Sequence, residues 1–115
     1  MAYTNLDYLR NITGGDPESM CEIIVLFMEQ VPEFIANLKK HLEDKNYIEL
    51  GKEAHKAKSS LMILGMNELG LDMKSLQMAT INKTGEDKYA FYVDQFEKQC
   101  LMAVEELKKE MTRLK

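Results

Sequence analysis

The sequence predicts an all-α protein, an up-down four-helix bundle with a short additional helix at the N-terminus. Apolar residues recur at intervals of three and four along most of the 115-residue chain, which is the spacing of one helix face. Nine methionines, with only two prolines and six glycines, favour helix over sheet, because methionine is a good helix former and turn residues are scarce. The breaks between helical segments are short, so neighbouring helices are expected to run antiparallel.

The N-terminal third contains a short helix or turn segment over 3–12 and a long second helix. Asp16 has the residue type of a helix N-cap, and Pro17 takes the first helical position, where its missing N–H costs nothing. Pro32 lies inside the apolar pattern of this second helix. It should kink or restart the helix, because it removes one hydrogen bond from the ladder. The pattern ends at Asp44.

The middle of the chain predicts a third and a fourth helix. Asn46, followed three residues later by Glu49, is typical of a capping box that begins a helix over 47–64. Gly65 supplies the left-handed stop, and Asn67 has the residue type of the N-cap of the fourth helix. The apolar and small positions of the third helix alternate by three and four, as in the seam of a bundle: Tyr47, Leu50, Gly51, Ala54, Ala57, Leu61 and Leu64. Those of the fourth are Leu69, Met73, Leu76 and Thr80.

A last helix closes the predicted bundle. Thr84-Gly85 breaks the chain after the fourth helix, and the last helix is expected from about 86 to near 114. At about 1.5 Å per residue it should be roughly 40 Å long. Its expected buried stripe consists of Tyr89, Tyr92, Val93, Phe96, Cys100, Ala103, Leu107 and Leu114.

Composition argues against several classes of protein. The chain carries 15 Lys and Arg against 19 Asp and Glu, a formal net charge of −4, which argues against a nucleic-acid binder. No apolar run approaches the ~20 residues of a membrane span, and the first residues lack the regions of a signal peptide. Cys21 and Cys100 fall in apolar helical patterns, which favours reduced, packed thiols. We therefore expect a single cytoplasmic domain over 1–115 that has no membrane partner.

The third helix carries one stretch with distinctive chemistry, a histidine among amines and hydroxyls. Lys58 and Ser59 follow His55 by three and four residues, and Lys52 precedes it by three, so these side chains flank the imidazole. Ala54 belongs to the seam, which puts His55 about 100° further round the helix, at the rim of the core. A histidine surrounded by cations and hydroxyl donors suits a group that becomes negatively charged, and phosphohistidine is the simplest such group.

A reactive imidazole also needs an acceptor for its second ring nitrogen, because that hydrogen bond fixes the tautomer. Gln77 on the adjacent helix is a candidate for this acceptor. His41, the other histidine, lies near the end of the second helix, where positive charge suits the helix dipole. We interpret His41 as structural or neutral.

These residues resemble the histidine-containing phosphotransfer (HPt) domain. The family motif is His-x-x-Lys-Gly-Ser, with a glycine ten residues after the histidine. In this chain the matching positions hold His55, Lys58, Ser60 and Gly65. In the family, an apolar residue followed by Glu or Gln closes the motif on the next helix, and Leu76-Gln77 stands there.

The resemblance extends over roughly residues 16–110. The segment 24–34, with its internal Pro32, is similar to the second helix of the family. Ser59 is a departure, because the family usually has glycine at this position, which leaves room for the partner to close over the imidazole. The serine adds only a hydroxymethyl group, which could slow transfer or add a contact to the phosphate.

The resemblance implies a phosphorelay intermediate of two-component signalling, a stoichiometric phosphoryl carrier without kinase activity. A phosphoryl group would arrive from an aspartate of one receiver domain and leave to an aspartate of another. The implied roles are phosphoacceptor for His55, charge neutralisation for Lys58, hydrogen-bond donation for Ser59 or Ser60 and ring orientation for Gln77. Expected partners are response-regulator receiver domains and a hybrid sensor histidine kinase. The receiver would supply Mg²⁺, the chain would hold no cofactor of its own, and the family habit indicates a monomer.

An apolar docking surface is expected beside the histidine. Ile48 and Met62 lie seven residues before and after His55, two turns away on the same helix face. Two alternatives stay open. One is an interaction module in which the fold persists without phosphotransfer. The other is a metal- or cofactor-binding bundle, which is disfavoured because two histidines and no Glu-x-x-His pair offer few inward ligands.

Overall fold

The computed structural model describes residues 2–114 and shows an all-helical bundle in this range. Its helices are α1 (Asp7–Ile12), α2 (Pro17–Glu43), α3 (Tyr47–Ile63), α4 (Asn67–Asn82) and α5 (Tyr89–Leu114), with one 3₁₀ turn over Glu86–Lys88. Each of the four long helices packs on the next along the chain, and α5 returns to pack on α2. The loops between them are short, so the predicted up-down four-helix bundle with an extra N-terminal helix is confirmed.

The start of α2 follows the sequence prediction. The Asp16 carboxylate accepts a hydrogen bond from the Ser19 backbone N–H at 3.1 Å, and Pro17 is the first helical residue. The helix then continues through Pro32 for 27 residues, so it does not restart there. Val31 and Phe34, on either side of the proline, are both buried in the core. Their burial on one face keeps α2 a single helix despite the hydrogen bond that proline removes.

The junction between α3 and α4 differs by one residue from the prediction. Gly65 adopts φ 74°, and the N–H groups of Gly65 and Met66 donate to the carbonyls of Met62 and Leu61, which is a Schellman motif. This motif draws Met66 into the core, where it becomes the N-cap of α4. Asn67 is therefore the first helical residue and not the predicted cap.

Only half of the predicted capping box of α3 forms. The Asn46 side chain accepts from the Glu49 backbone N–H at 3.5 Å. The Glu49 carboxylate contacts Lys52 at 3.2 Å instead of returning to Asn46. Lys45, just before the cap, adopts φ 56°, which turns the chain sharply between α2 and α3.

One continuous core lies between the four long helices, and it contains nearly all the predicted apolar positions. Phe34 of α2 and Phe96 of α5 pack edge to face with ring centroids 6.2 Å apart. Tyr47, Tyr92 and Leu114, which the apolar spacing also predicts for the core, are only half-buried. The fully buried core side chains of α3 and α4 are Leu50, Ala54, Ala57, Leu61, Leu69, Met73 and Leu76.

Both cysteines are free thiols, as predicted. Cys100 lies in the core of α5, where burial raises the pKa of its thiol to about 12. Cys21 is half-buried on α2. No helix within residues 2–114 has the length and apolarity needed to cross a lipid bilayer.

The segment before α1 is fixed to two other parts of the bundle. The Asn5 N–H donates to the Leu64 carbonyl at 3.0 Å, at the end of α3. The Glu106 carboxylate of α5 accepts from the Tyr3 N–H, the Thr4 N–H and the Thr4 hydroxyl at 2.8, 2.9 and 2.5 Å. Burial raises the pKa of Glu106, but the hydrogen bonds from Thr4 and Tyr3 outweigh it, and the net shift is downward.

Because the pKa of Glu106 is lowered in the folded protein, its stabilising effect is present above the unfolded pKa of about 4.3 and is lost as pH falls through the folded value. Replacing Glu106 by Gln should therefore lower the free energy of unfolding at pH 7, and this difference from wild type should shrink below about pH 4. Denaturant unfolding at pH 7 and pH 3 measures both quantities.

Glu105→Gln is a matched control, because Glu105 forms only an exposed ion pair with Lys108 at 3.2 Å. It should change the free energy of unfolding by less than about 0.5 kcal/mol. An equal difference between wild type and Glu106→Gln at pH 3 and pH 7 would contradict the assignment.

Candidate functional site

The exposed face of α3 presents His55 at the rim of the core. His55 is exposed, whereas Ala54 and Ala57 beside it on α3 have no exposed surface. This position follows from the seam of α3, because one residue further along the helix rotates the side chain by about 100° away from the core. The imidazole is thus held by the helix and open to a second macromolecule.

The structure brings His55 and Gln77 together across α3 and α4. The Nδ1 atom of His55 lies 3.1 Å from Oε1 of Gln77, which is half-buried on α4. An amide oxygen can only accept, so in a neutral ring Nδ1 carries the proton and donates it to Gln77. The lone pair is then on Nε2, at the outer end of the ring. This tautomer presents the nucleophilic nitrogen away from the bundle.

The lysines around His55 differ in their partners. Lys52 is paired with Glu49 at 3.2 Å, but both side chains are exposed, so the pair is weak. Lys58 is half-buried, and no ion pair involves it or Lys56 within residues 2–114. The ammonium of Lys58, one turn after His55, is therefore available to an incoming anion.

The two serines after Lys58 face different directions. Ser59 follows His55 by four residues and is exposed on the same face of α3. Ser60 donates its hydroxyl hydrogen to Oε1 of Gln30 on α2 at 3.0 Å. Five residues correspond to about 140° around the helix from His55, so the Ser60 side chain lies toward α2. Of the two predicted hydroxyl donors, the structure places only Ser59 beside the imidazole.

Sequence reasoning missed a polar layer between α2 and α3. The Asn37 amide donates to the carboxylate of Glu53 at 3.1 Å, and Glu53 is only 9 % exposed. Together with the bond from Ser60 to Gln30, this contact links α2 and α3 at two levels. A glutamate two residues before the histidine resembles an ordinary solvent-facing residue. Only the packed structure, in which Asn37 of α2 lies against Glu53, shows that Glu53 is buried.

The expected apolar surface beside His55 is present in part. Ile48 is 68 % exposed, as the prediction requires. Met62 is half-buried, because its thioether lies against Gly70 of α4. On α4, Met78 and Ile81 follow Gln77 and Thr80 by one residue and are also exposed, by 46 % and 62 %; the helix spacing of α3 gave no sign of them.

Within residues 2–114, no three or more His, Cys, Asp or Glu side chains lie close enough together to hold a metal ion.

Comparison with known proteins gives one match. A family model described as Hpt domain matches residues 22–115, which is most of the chain. No curated protein and no solved structure matches this chain. The matched range contains His55 and Gln77 and leaves α1 and the start of α2 outside.

Proposed function

This chain belongs to the Hpt domain family, and from that premise we propose that His55 is the residue that carries the phosphoryl group. Hpt domains act in histidine phosphotransfer within two-component phosphorelays, as phosphocarrier modules and not as kinases. One observation supports the assignment of His55 above all others. The imidazole of His55 is exposed, and its Nδ1 is hydrogen-bonded to Gln77, which leaves Nε2 facing outward.

In the proposed reaction, the lone pair of Nε2 attacks the phosphorus of an aspartyl phosphate on a receiver domain. The N–P bond forms as the P–O bond to the aspartate breaks, and the carboxylate leaves with the bonding pair. The Nδ1 proton stays on the ring, which becomes positively charged, and the Gln77 oxygen accepts a stronger hydrogen bond from it. The reverse steps deliver the phosphoryl group to an aspartate of a second receiver. The Mg²⁺ used at the aspartate would belong to the receiver.

Lys58 and Ser59 are the proposed ligands of the phosphoryl oxygens. Both lie within one turn after His55 on α3, and the Lys58 ammonium has no carboxylate partner within residues 2–114. A phosphoryl group carries close to two negative charges, so an ammonium donor stabilises it by a charge-assisted hydrogen bond. Ser59 adds a neutral donor where the family motif has glycine. Ser60 is not part of this proposal, because Gln30 accepts its hydrogen.

A receiver domain is proposed to dock on the exposed apolar side chains around His55. We call Ile48, Met78 and Ile81 the apolar patch. Gly51 packs against Thr80, which brings the N-terminal half of α3, with Ile48, level with the C-terminal half of α4, with Met78 and Ile81. An exposed apolar surface next to a reactive residue is typical of a protein interface. Lys52 and Lys56 would mainly tune the rate of encounter.

Replacing His55 by Gln should abolish phosphoryl uptake from a phosphorylated receiver, because Gln has no nucleophilic ring nitrogen. His55 is exposed, so the bundle should stay folded by circular dichroism. His41→Gln is the matched control and should accept phosphate at the wild-type rate. Acid-labile phosphate on the His55→Gln protein at the wild-type level would overturn the assignment. If wild-type protein binds receivers but takes up no phosphate, an interaction module is the better description.

Replacing Gln77 by Ala should slow phosphoryl transfer about fivefold with little loss of stability, because one oriented hydrogen bond is worth about 1 kcal/mol. Rapid-quench measurement of transfer from a labelled receiver gives the rate. Gln99→Ala is the control, since Gln99 is also half-buried but bonds to Gln95 on its own helix. An unchanged rate in the Gln77 variant would exclude it as the orienting group.

Replacing Ile48 by Asp should weaken receiver binding strongly, because it puts a charge into the apolar patch. Leu101→Asp, at a similarly exposed apolar position on α5, is the control and should bind normally. Titration calorimetry with a receiver measures both affinities. Met62 is a poor test site, because its packing on Gly70 would confuse a binding defect with a folding defect. Wild-type affinity and wild-type phosphate uptake by a folded Ile48→Asp protein would contradict the proposed docking surface.

A further inference from the structure

A close contact between α3 and α4 lies one turn from the imidazole. A Cβ atom at Gly51 of α3 would overlap the hydroxyl oxygen of Thr80 on α4, and it would lie 3.3 Å from the Thr80 Cβ and 3.6 Å from the Gln77 Cα. Gly51 is helical and buried, and no positive φ requires glycine there. Its missing side chain is therefore explained by the space between the helices and not by the backbone.

This contact is one helical turn from the hydrogen bond of the site on both helices. Gly51 precedes His55 by four residues on α3, and Thr80 follows Gln77 by three on α4, so each pair shares a face. The Thr80 hydroxyl donates to the Gln77 carbonyl at 2.7 Å, which fixes the Thr80 rotamer against Gly51. The space between α3 and α4 at Gly51 is thus occupied by a side chain that cannot turn away without losing this bond.

We propose that Gly51 is a positioning residue that sets the spacing of α3 and α4 and thereby keeps Gln77 within hydrogen-bond reach of the His55 ring. The Nδ1 to Oε1 distance is 3.1 Å, and a hydrogen bond weakens steeply beyond about 3.5 Å. A side chain at position 51 would overlap the Thr80 hydroxyl, so α4 moves outward unless Thr80 gives up its hydrogen bond to the Gln77 carbonyl. A displacement of well under 1 Å is enough to break the contact. The consequence for transfer rests on the function proposed above.

A second glycine contact provides an internal comparison. Gly70 of α4 packs against Met62 of α3. Gly70 precedes Gln77 by seven residues, and Met62 follows His55 by seven. A Cβ atom at Gly70 would lie 2.6 Å from the Met62 Cε, which is the end of a flexible side chain. This methyl group can move aside without moving either helix. The same substitution, glycine to alanine in a buried helix, should therefore have different effects at positions 51 and 70.

The test is the tautomer of the His55 ring in the unphosphorylated protein, read from its ring ¹⁵N shifts by NMR. In wild type, Nδ1 should carry the proton. Gly51→Ala should shift the ring toward the tautomer mixture of a free imidazole and slow transfer from a receiver about fivefold. Gly70→Ala should keep the wild-type tautomer. The double variant Gly51→Ala with Thr80→Gly should restore it, because the remaining 3.6 Å contact with the Gln77 Cα is ordinary packing.

A wild-type tautomer in a folded Gly51→Ala protein would overturn the proposal, even if transfer were slowed. If Gly51→Ala does not fold, the double variant Gly51→Ala with Thr80→Ala decides. In it the closest contact is 3.3 Å, between the Cβ atoms of positions 51 and 80, which requires a smaller displacement of the helices. A partial tautomer shift in this double variant supports the proposal, and the absence of any shift overturns it. The NMR measurement needs no phosphate, so a wild-type protein that fails to accept phosphate would refute the proposed function and leave this test intact.

Discussion

The site depends on the close packing of α3 on α4. His55 alone is an exposed imidazole on one helix, and the contact that orients it comes from Gln77 on the other. That contact spans two helix backbones, so its length is set by how near the helices can come. Gly51 against Thr80 and Gly70 against Met62 allow a near approach on either side of the hydrogen bond. In the proposal above, Gly51 sets the geometry of a polar contact that lies outside the core, whereas the Met62 side chain can give way at Gly70.

Hydrogen bonds to α2, on the side of α3 away from α4, oppose rotation of α3 about its axis. Glu53 and Ser60 face α2 and bond to Asn37 and Gln30 at two levels of the bundle. Leaving a largely buried polar group without its hydrogen bond costs about 1–3 kcal/mol, so these bonds oppose a turn of α3. The face of α3 that carries His55 is therefore fixed by polar contacts on its α2 side and by packing on its α4 side. An exposed imidazole gains a defined direction in this way without being buried.

The charges of α3 are distributed unevenly around His55. Glu53 is buried and bonds to Asn37 of α2, and Glu49 forms an exposed pair with Lys52, so neither acid of this helix contacts the imidazole. Lys58 has no carboxylate partner in the described part of the chain. The overall charge of −4 gives no sign of this arrangement, because it arises from which side of one helix each group occupies.

The sequence by itself determined the number and order of the helices and the exposure of His55. These features depend on apolar spacing and on signals such as Asp16 and Gly65, which act within one or two turns of their own helix. Only the tertiary structure decided that Met66 caps α4, that Ser60 faces Gln30 and that Glu53 is buried. Sequence reasoning could nominate Gln77 but could not measure its distance from the ring. The physical reason is the same in each case: the partner is on another helix, and helix spacing and rotation are properties of the packed bundle.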